Sequence, residues 1–228
     1  DLACAEGMKA ALDLTTALNI AHCDCRPDGA KIGAGPRQGW LFNATIAGIE
    51  EADVLLLVGT NPRLEAPVLN ARIRKTWLRG GLEIYTIGEA ADLTYPTVRL
   101  GGGPQTLQAV LAGEGRVLER LRQAKRPLMI VGQGAVSRPD GAAVLRLAGQ
   151  VAAAGGLVKP AEGWNGFSML HTAAARVGGL DLGFLPGAGG FTAGQMIEAI
   201  AEDRLDTLVL LGVDETALPA ARARGAVI

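Results

Sequence analysis

Four short runs rich in valine, leucine and isoleucine stand out from the polar positions around them, and a glycine follows each run. They cover residues 54–58, 82–87, 128–131 and 208–211. Three of the four have no polar alternation, which is typical of strands that are covered on both faces within a parallel sheet. The pattern therefore predicts four strands, each ending where the chain turns at a glycine.

Segments with apolar residues at helical spacing lie around these runs. In one of them Arg72, Lys75 and Arg79 fall away from the apolar stripe, and we interpret this basic side as a solvated face. Strands that alternate with helices predict an α/β fold, Rossmann-like and three-layered, around a mainly parallel sheet. The predicted helices cover residues 6–18, 67–79, 105–111 continuing towards 124, 140–154, 168–177 and 193–202.

Length and composition place the chain among globular proteins. Its 228 residues suffice for one large domain or two small ones. With 49% hydrophobic residues, 20% charged residues and a net charge of −1, it resembles neither a disordered tail nor a nucleic-acid-binding protein. No apolar run approaches the ~20 residues of a membrane span, so we expect no direct membrane insertion. Because the first residue is Asp1 rather than methionine, we expect a piece of a longer protein.

Candidate metal ligands and catalytic groups are few. The three cysteines are Cys4, Cys23 and Cys25, and the last two leave only one residue between them, where zinc sites usually leave about two to four. Three thiols also fall short of the about four that an iron–sulfur cluster needs. His22 and His171 belong to no recognisable catalytic motif. The residues therefore predict no metal site and no catalytic residue.

The segment Gly59-Thr60-Asn61-Pro62-Arg63 follows the first predicted strand. Open α/β sheets bind ligands at the carboxyl ends of their strands, and Thr60 and Asn61 carry groups that hydrogen-bond a phosphate or a base. The same residues also suit a turn that leads into a helix, since Asn-Pro is typical of turns and Pro67 of a first helical turn. Local chemistry leaves both interpretations open.

A second glycine loop, Gly132-Gln133-Gly134, follows the third predicted strand. Dinucleotide-binding loops have a third glycine or alanine where this chain has Ser137, and an acidic residue where this chain has residues 151–156, which contain none. We interpret these glycines as close packing between a strand and a helix.

Longer blocks of sequence carry a resemblance to a known family. The first three are NATIAGIEEAD at residues 43–53, VLLLVGTNPR at 54–63 and EAPVLNARIRK at 65–75. Asp92-Leu93-Thr94-Tyr95 and Leu180-Asp181-Leu182-Gly183 follow in the same order. From about residue 40 to its end, the chain resembles the large, 75 kDa iron–sulfur subunits of respiratory complex I, the NADH-quinone oxidoreductase.

This resemblance implies a fold like the domains of formate dehydrogenase and DMSO reductase. In active molybdopterin enzymes the Gly-x-Asn-Pro turn helps to hold the phosphates or nucleotide of the pterin, which maps onto Gly59, Thr60, Asn61, Pro62 and Arg63. Complex I subunits are regarded as having lost molybdopterin, so the resemblance implies a vestigial site. The 4Fe-4S and 2Fe-2S clusters of the parent subunit would lie outside this chain, which would hold no cofactor.

The resemblance also implies a role. The chain would be a structural, non-catalytic region of the subunit that carries electrons from NADH towards quinone. Its partners would be other subunits of the peripheral arm, on the cytoplasmic side of a bacterial inner membrane or the matrix side in mitochondria. We expect a lead-in over residues 1–39 that belongs to a first α/β unit, an α/β unit over 40–125 with the GTNPR turn, and a second, truncated α/β unit over 126–228.

Two other classes stay open. An active molybdopterin oxidoreductase such as formate dehydrogenase shares the Gly-x-Asn-Pro turn, although the EAPVLNARIRK continuation resembles complex I more closely. The central domain of a thiamine-diphosphate enzyme has a strand and glycine loop similar to residues 125–135. This second likeness is confined to that one segment.

Overall fold

The computed structural model describes residues 2–213. Five of its strands form one sheet of order β3-β2-β1-β4-β7, in which every pairing is parallel, and β5 and β6 form a separate antiparallel pair. The predicted α/β fold with a mainly parallel sheet is confirmed. In chain order the strands are β1 Val54–Val58, β2 Glu83–Ile87, β3 Val98–Gly101, β4 Pro127–Val131, β5 Val158–Lys159, β6 Trp164–Asn165 and β7 Phe167–Met169.

Four of the predicted helices, α1, α4, α8 and α10, match the structure to within one residue at each end. The helix predicted from residue 105 towards 124 is instead two helices, α5 and α6. Gly113 and Gly115 lie between them with φ angles of 85° and 71°, which a right-handed helix cannot contain. The α-helices of the described residues are α1 Ala5–Ala17, α2 Thr45–Gly48, α3 Pro62–Glu65, α4 Pro67–Leu78, α5 Pro104–Leu111, α6 Val117–Gln123, α7 Gln133–Val136, α8 Gly141–Ala154, α9 Arg176–Asp181 and α10 Ala193–Ala201.

Strands β1 and β4 form the centre of the sheet, and every residue of both is buried. Leu55 and Leu57 share a hydrophobic cluster with Leu69 and Ile73 of helix α4. By alternation Leu56 points to the opposite face. Helix α8 contacts β4, and its buried residues lie outside the cluster that contains α4. Helices therefore cover both faces, and this explains why the sequence of β1 is apolar without alternation.

The helix predicted over residues 168–177 is wrong. Strand β7 pairs with β4, placing Ser168 beside Ile130, and helix α9 begins only at Arg176. All three residues of β7 are buried, and the Ser168 hydroxyl accepts a hydrogen bond of 3.2 Å from the Ala44 N–H. A short apolar segment does not distinguish a buried strand from a buried helix by its periodicity, and here pairing with β4 decides.

The strand predicted over residues 208–211 is also wrong, because these residues lie in neither a strand nor a helix. Their side chains line a pocket together with Met196 of helix α10. The apolar segment therefore lines a pocket rather than joining the sheet, and its residues Val209 and Leu211 are exposed.

The described residues divide into two compact units. One is Ala34–Thr172, which contains the five-stranded sheet, and the other joins the residues before Ala34 to those after Thr172. This division differs from the expected boundaries after residues 39 and 125. Parallel pairing of β1 with β4 brings residues from both sides of position 125 into one sheet.

Within residues 2–213, no helix has both the length and the apolar character that crossing a membrane requires.

Candidate functional site

A cleft of ≈ 620 Å³ lies in the Ala34–Thr172 unit, at the carboxyl ends of β1, β2 and β3. Gly59, Gly88 and Gly102 each follow one of these strands, and all three line the cleft. The strand order reverses beside β1, since β2 lies on one side of it and β4 on the other. Open α/β sheets bind ligands at such a reversal, so this cleft is the candidate functional site.

The turns after β1 and β4 pack directly against each other. Gly59 has a φ of 59°, and a Cβ atom there would lie 2.6 Å from the backbone nitrogen of Ala135. A Cβ at Gly132 would lie 2.4 Å from Thr60 Cβ, and one at Gly134 would lie 2.8 Å from the Gly59 carbonyl oxygen. These glycines therefore allow close contact between two turns, where the sequence led us to expect close packing between a strand and a helix at Gly132 and Gly134.

The Glu65 carboxylate accepts hydrogen bonds from two donors of the candidate turn, residues 59–63. The Thr60 hydroxyl donates to Glu65 Oε2 at 3.0 Å, and the Asn61 backbone N–H donates to Glu65 Oε1. Glu65 is the last residue of the short helix α3, which begins at Pro62, and this places its carboxylate back over the turn. The donors of the turn are therefore bound to a carboxylate from the helix that begins directly after Asn61.

The structure separates the five predicted site residues into two groups. Gly59, Thr60 and Asn61 line the cleft, whereas the other two are absent from its described lining. Pro62 is buried at the start of α3, and the exposed Arg63 donates to Asp92 Oδ2 at 2.6 Å. Asn61 Oδ1 is buried and accepts no hydrogen bond from the described residues.

Among the residues that the structure describes, three charged ones line the cleft, and two of them are acidic. They are Glu65, Glu89 and Arg138. The Arg138 guanidinium donates to both carboxylate oxygens of Asp140, at 2.7 and 3.0 Å. The hydrogen bond from Arg138 lowers the pKa of Asp140 below its ordinary value. The one cationic side chain of the described lining is therefore already neutralised, and the cleft has no excess of positive charge.

Several lining residues are not predicted from the sequence. Gly102 follows β3, whose exposed and half-buried residues lack the apolar run that marks a central strand. Arg138 and Ala135 reach the cleft because β4 lies next to β1, an adjacency that the sequence does not display. One rule could have predicted part of this lining from the sequence. Because the carboxyl ends of parallel strands lie at the same edge of a sheet, Gly59, Gly88 and the turn after β4 should lie close together.

The three cysteines lie in the other compact unit. The Cys23 thiol donates to the Leu185 carbonyl at 3.1 Å, and Cys4 Sγ accepts from the Gly7 N–H at 3.3 Å. Burial, with a smaller contribution from Asp24, raises the pKa of Cys25 to about 11. Among residues 2–213, no group of three or more His, Cys, Asp or Glu side chains is arranged to hold a metal ion.

Sequence comparisons match the chain to one protein family and to subunits of one enzyme. The profile of the molybdopterin oxidoreductase family matches residues 1–223. The chain is 48% identical over 148 residues to the mitochondrial NADH-ubiquinone oxidoreductase 78 kDa subunit of Candida albicans, covering 65% of this chain and 20% of that protein. It is 36% identical over 210 residues to the NADH-ubiquinone oxidoreductase 75 kDa subunit of Reclinomonas americana, covering 90% of this chain and 29% of that protein. The chain thus spans less than a third of either relative.

A solved structure supports the fold. The formyltransferase/hydrolase complex from Methylorubrum extorquens matches 99% of this chain and 71% of its own chain, with a TM-score of 0.63 and 18% identity. At that identity the likeness is one of fold alone. It agrees with the parallel α/β architecture described above.

Proposed function

Because the chain belongs to the molybdopterin oxidoreductase family, we propose that it forms a structural, cofactor-free region in the large iron–sulfur subunit of an NADH-quinone oxidoreductase. The relatives that match it are complex I subunits named for masses of 75 and 78 kDa. In the proposed assembly, the 4Fe-4S and 2Fe-2S clusters that carry electrons from NADH towards quinone lie outside this chain. The chain contributes a folded scaffold that other subunits of the peripheral arm contact, on the cytoplasmic or matrix side of the membrane.

Glu65 is the observation that carries the cofactor-free part of this proposal. The diphosphate of a pterin dinucleotide requires N–H and hydroxyl donors, preferably with positive charge nearby. At this turn the Thr60 hydroxyl and the Asn61 N–H already donate to the Glu65 carboxylate. A diphosphate placed there would lose those donors and meet a like charge, which disfavours it. The residues of the turn therefore do not fit the cofactor.

The first experiment uses the assembled complex and the variant Asn61→Ala, which removes polar groups from the cleft with little change in volume. We expect NADH-to-quinone turnover within about twofold of the wild type, because the proposed cleft takes no part in transition-state stabilisation. Subunit abundance, measured on the same membranes, serves as the control for assembly. Loss of turnover in complexes that assemble at normal levels would instead place the cleft in the chemistry.

The second experiment examines the purified protein for cofactors. We expect no stoichiometric molybdenum in elemental analysis and no pterin fluorescence after oxidative release. For the chain on its own we also expect neither iron nor zinc, since its three cysteines are poorly spaced for metal binding. Retention of about one molybdenum and a guanine-nucleotide pterin per chain would favour an active molybdopterin oxidoreductase.

A further inference from the structure

We propose that the chain contains a ligand site, separate from the cleft, in which the buried guanidinium of Arg176 binds a small carboxylate with an apolar body. The site is a pocket within the compact unit that joins the residues before Ala34 to those after Thr172. It is independent of the proposed function, because it lies outside the unit that holds the five-stranded sheet.

The pocket is small and mostly apolar. Its volume is ≈ 110 Å³, and its walls include Met8, Phe184, Met196 and Leu210. For comparison, an apolar cavity of roughly 150 Å³ holds one benzene molecule. The available space therefore suits a compact branched group about the size of isobutyrate, and excludes a nucleotide or a pterin.

Arg176 supplies the polar group of this pocket. The residue is 3% exposed, and its Nη2 donates to Asp28 Oδ1 at 3.0 Å. Its Nε and Nη1 are buried and have no hydrogen-bond partner among the described residues. Leaving donors of a charged group unsatisfied in an apolar setting costs more than leaving neutral ones unsatisfied. A carboxylate oxygen that enters the pocket would supply the missing acceptor.

Asp24 also lines the pocket, but it does not supply the missing acceptor for Arg176. Both carboxylate oxygens of Asp24 are occupied, by Arg26 Nε at 2.7 Å, by Arg26 Nη2 at 3.1 Å and by the Ala193 N–H at 3.1 Å. Arg26 and Asp24 thus form one complete ion pair, and Arg176 keeps unused donors beside it. The arrangement points to an acceptor brought by a ligand.

Cys25 is a further polar residue of the pocket wall, beside Asp24 and Arg176. Because burial raises the pKa of its thiol to about 11, the sulfur stays protonated at neutral pH. A thiolate therefore does not compete for the guanidinium. The pocket combines one cationic group that has spare donors with apolar walls, and this combination selects an anion that also carries hydrocarbon.

The test measures binding of isobutyrate to the purified full chain by calorimetry or ligand-observed NMR, with isobutyramide as the uncharged probe of equal shape. We expect saturable binding of isobutyrate with a dissociation constant of roughly 1 mM or lower, which is within reach of so small a ligand. The amide should bind at least about tenfold more weakly, because the charged hydrogen bond to Arg176 is lost.

Three variants assign the site. Arg176→Met should weaken isobutyrate binding at least about tenfold, whereas Arg204→Met, which changes an exposed arginine of the same unit, should leave binding unchanged. Met196→Trp keeps Arg176 but fills the pocket, so it should abolish binding even if Arg176→Met does not fold. Thermal unfolding of each variant verifies folding. Equal affinity for acid and amide, undiminished binding in folded Met196→Trp, or no saturable binding by the wild type would each overturn the proposal.

Discussion

At the scale of single residues, position 59 shows most clearly how the candidate turn depends on glycine. Its φ of 59° lies in the left-handed region, and a Cβ would meet the Ala135 backbone nitrogen at 2.6 Å. Gly59→Ala should therefore lower the free energy of unfolding by about 2–4 kcal/mol, combining backbone strain with a backbone clash. Urea unfolding at an unchanged m-value measures the effect.

Gly149→Ala is the matched control for that substitution. Gly149 lies within helix α8, and a Cβ there would have no neighbour within 4 Å. The same chemical change should therefore raise stability, by about 0.5–1 kcal/mol, because alanine is the better helix former. If both alanine variants shift stability alike, the close contact between the two turns does not constrain position 59.

Two of the sequence blocks that carry the family resemblance meet in one buried hydrogen-bond network. The Tyr95 hydroxyl donates to Asn70 Oδ1 at 2.6 Å, and Asn70 Nδ2 donates to the Leu93 carbonyl at 3.2 Å. Asn70 and Tyr95 are 5% and 7% exposed. The asparagine of EAPVLNARIRK and the tyrosine of DLTY therefore hold helix α4 to the segment that follows β2.

A double-mutant cycle tests this network. Asn70→Ala leaves the Tyr95 hydroxyl and the Leu93 carbonyl without a partner and should cost about 2–3 kcal/mol of unfolding free energy. Tyr95→Phe removes one hydroxyl and should cost about 1–2 kcal/mol. Because the two residues share a hydrogen bond, the double variant should lose about 1 kcal/mol less than the sum. Strict additivity in denaturant unfolding would show that the two side chains do not interact.

At the scale of elements, β1 is the strand on which the sheet depends. Leu56 is 0% exposed and is paired with Tyr85 on one side and Met129 on the other. Leu56→Asp places a carboxylate without a partner in a strand that is covered on both faces. It should lower the free energy of unfolding by about 3–5 kcal/mol, when a typical domain has a free energy of unfolding of roughly 5–15 kcal/mol. We expect a large fall in the abundance of the folded subunit in membranes.

Leu56→Met is the control for the strand, since it nearly conserves volume and should cost less than about 1.5 kcal/mol. Immunoblots of assembled complex and urea unfolding of the purified chain report the two effects. Normal assembly of the aspartate variant would mean that β1 is not buried on both faces in the complete subunit.

The elements that the sequence predicts correctly are those with a long or unambiguous pattern. Helices α4 and α8 repeat their apolar stripe over several turns, and β1, β2 and β4 are apolar runs closed by glycine. Strand β7 has three residues and β3 has four, too few for a period to separate strand from helix. The turn of the site is visible as GTNPR, but Glu65 over it and Arg138 across from it depend on contacts that only the folded chain makes.

At the scale of the whole molecule, the basic side of α4 has a specific partner rather than only solvent. Arg72, Lys75 and Arg79 all donate to the Glu50 carboxylate, at distances between 2.8 and 2.9 Å. Glu50 lies in the 3₁₀ turn that precedes β1, so the cluster joins two segments that flank the sheet. Hydrogen bonding from Lys75 is the largest cause that lowers the pKa of Glu50 below its ordinary value, and the charge of Lys75 and the hydrogen bond and charge of Arg79 lower it further.

Acid should therefore weaken the fold partly through this carboxylate. A pKa that is lower in the folded chain than in the unfolded chain stabilises the fold above the unfolded value, near 4.3, and loses that effect as the pH falls through the folded value. Glu50→Gln should consequently be less stable than the wild type at pH 7, and the difference should shrink as the pH falls below about 4. It should also shrink in about 0.5 M salt, because the cluster is exposed enough to be screened. Urea unfolding from pH 7 to 3 measures both trends, and a stability difference that is the same at every pH would show that the charge of Glu50 does not stabilise the fold.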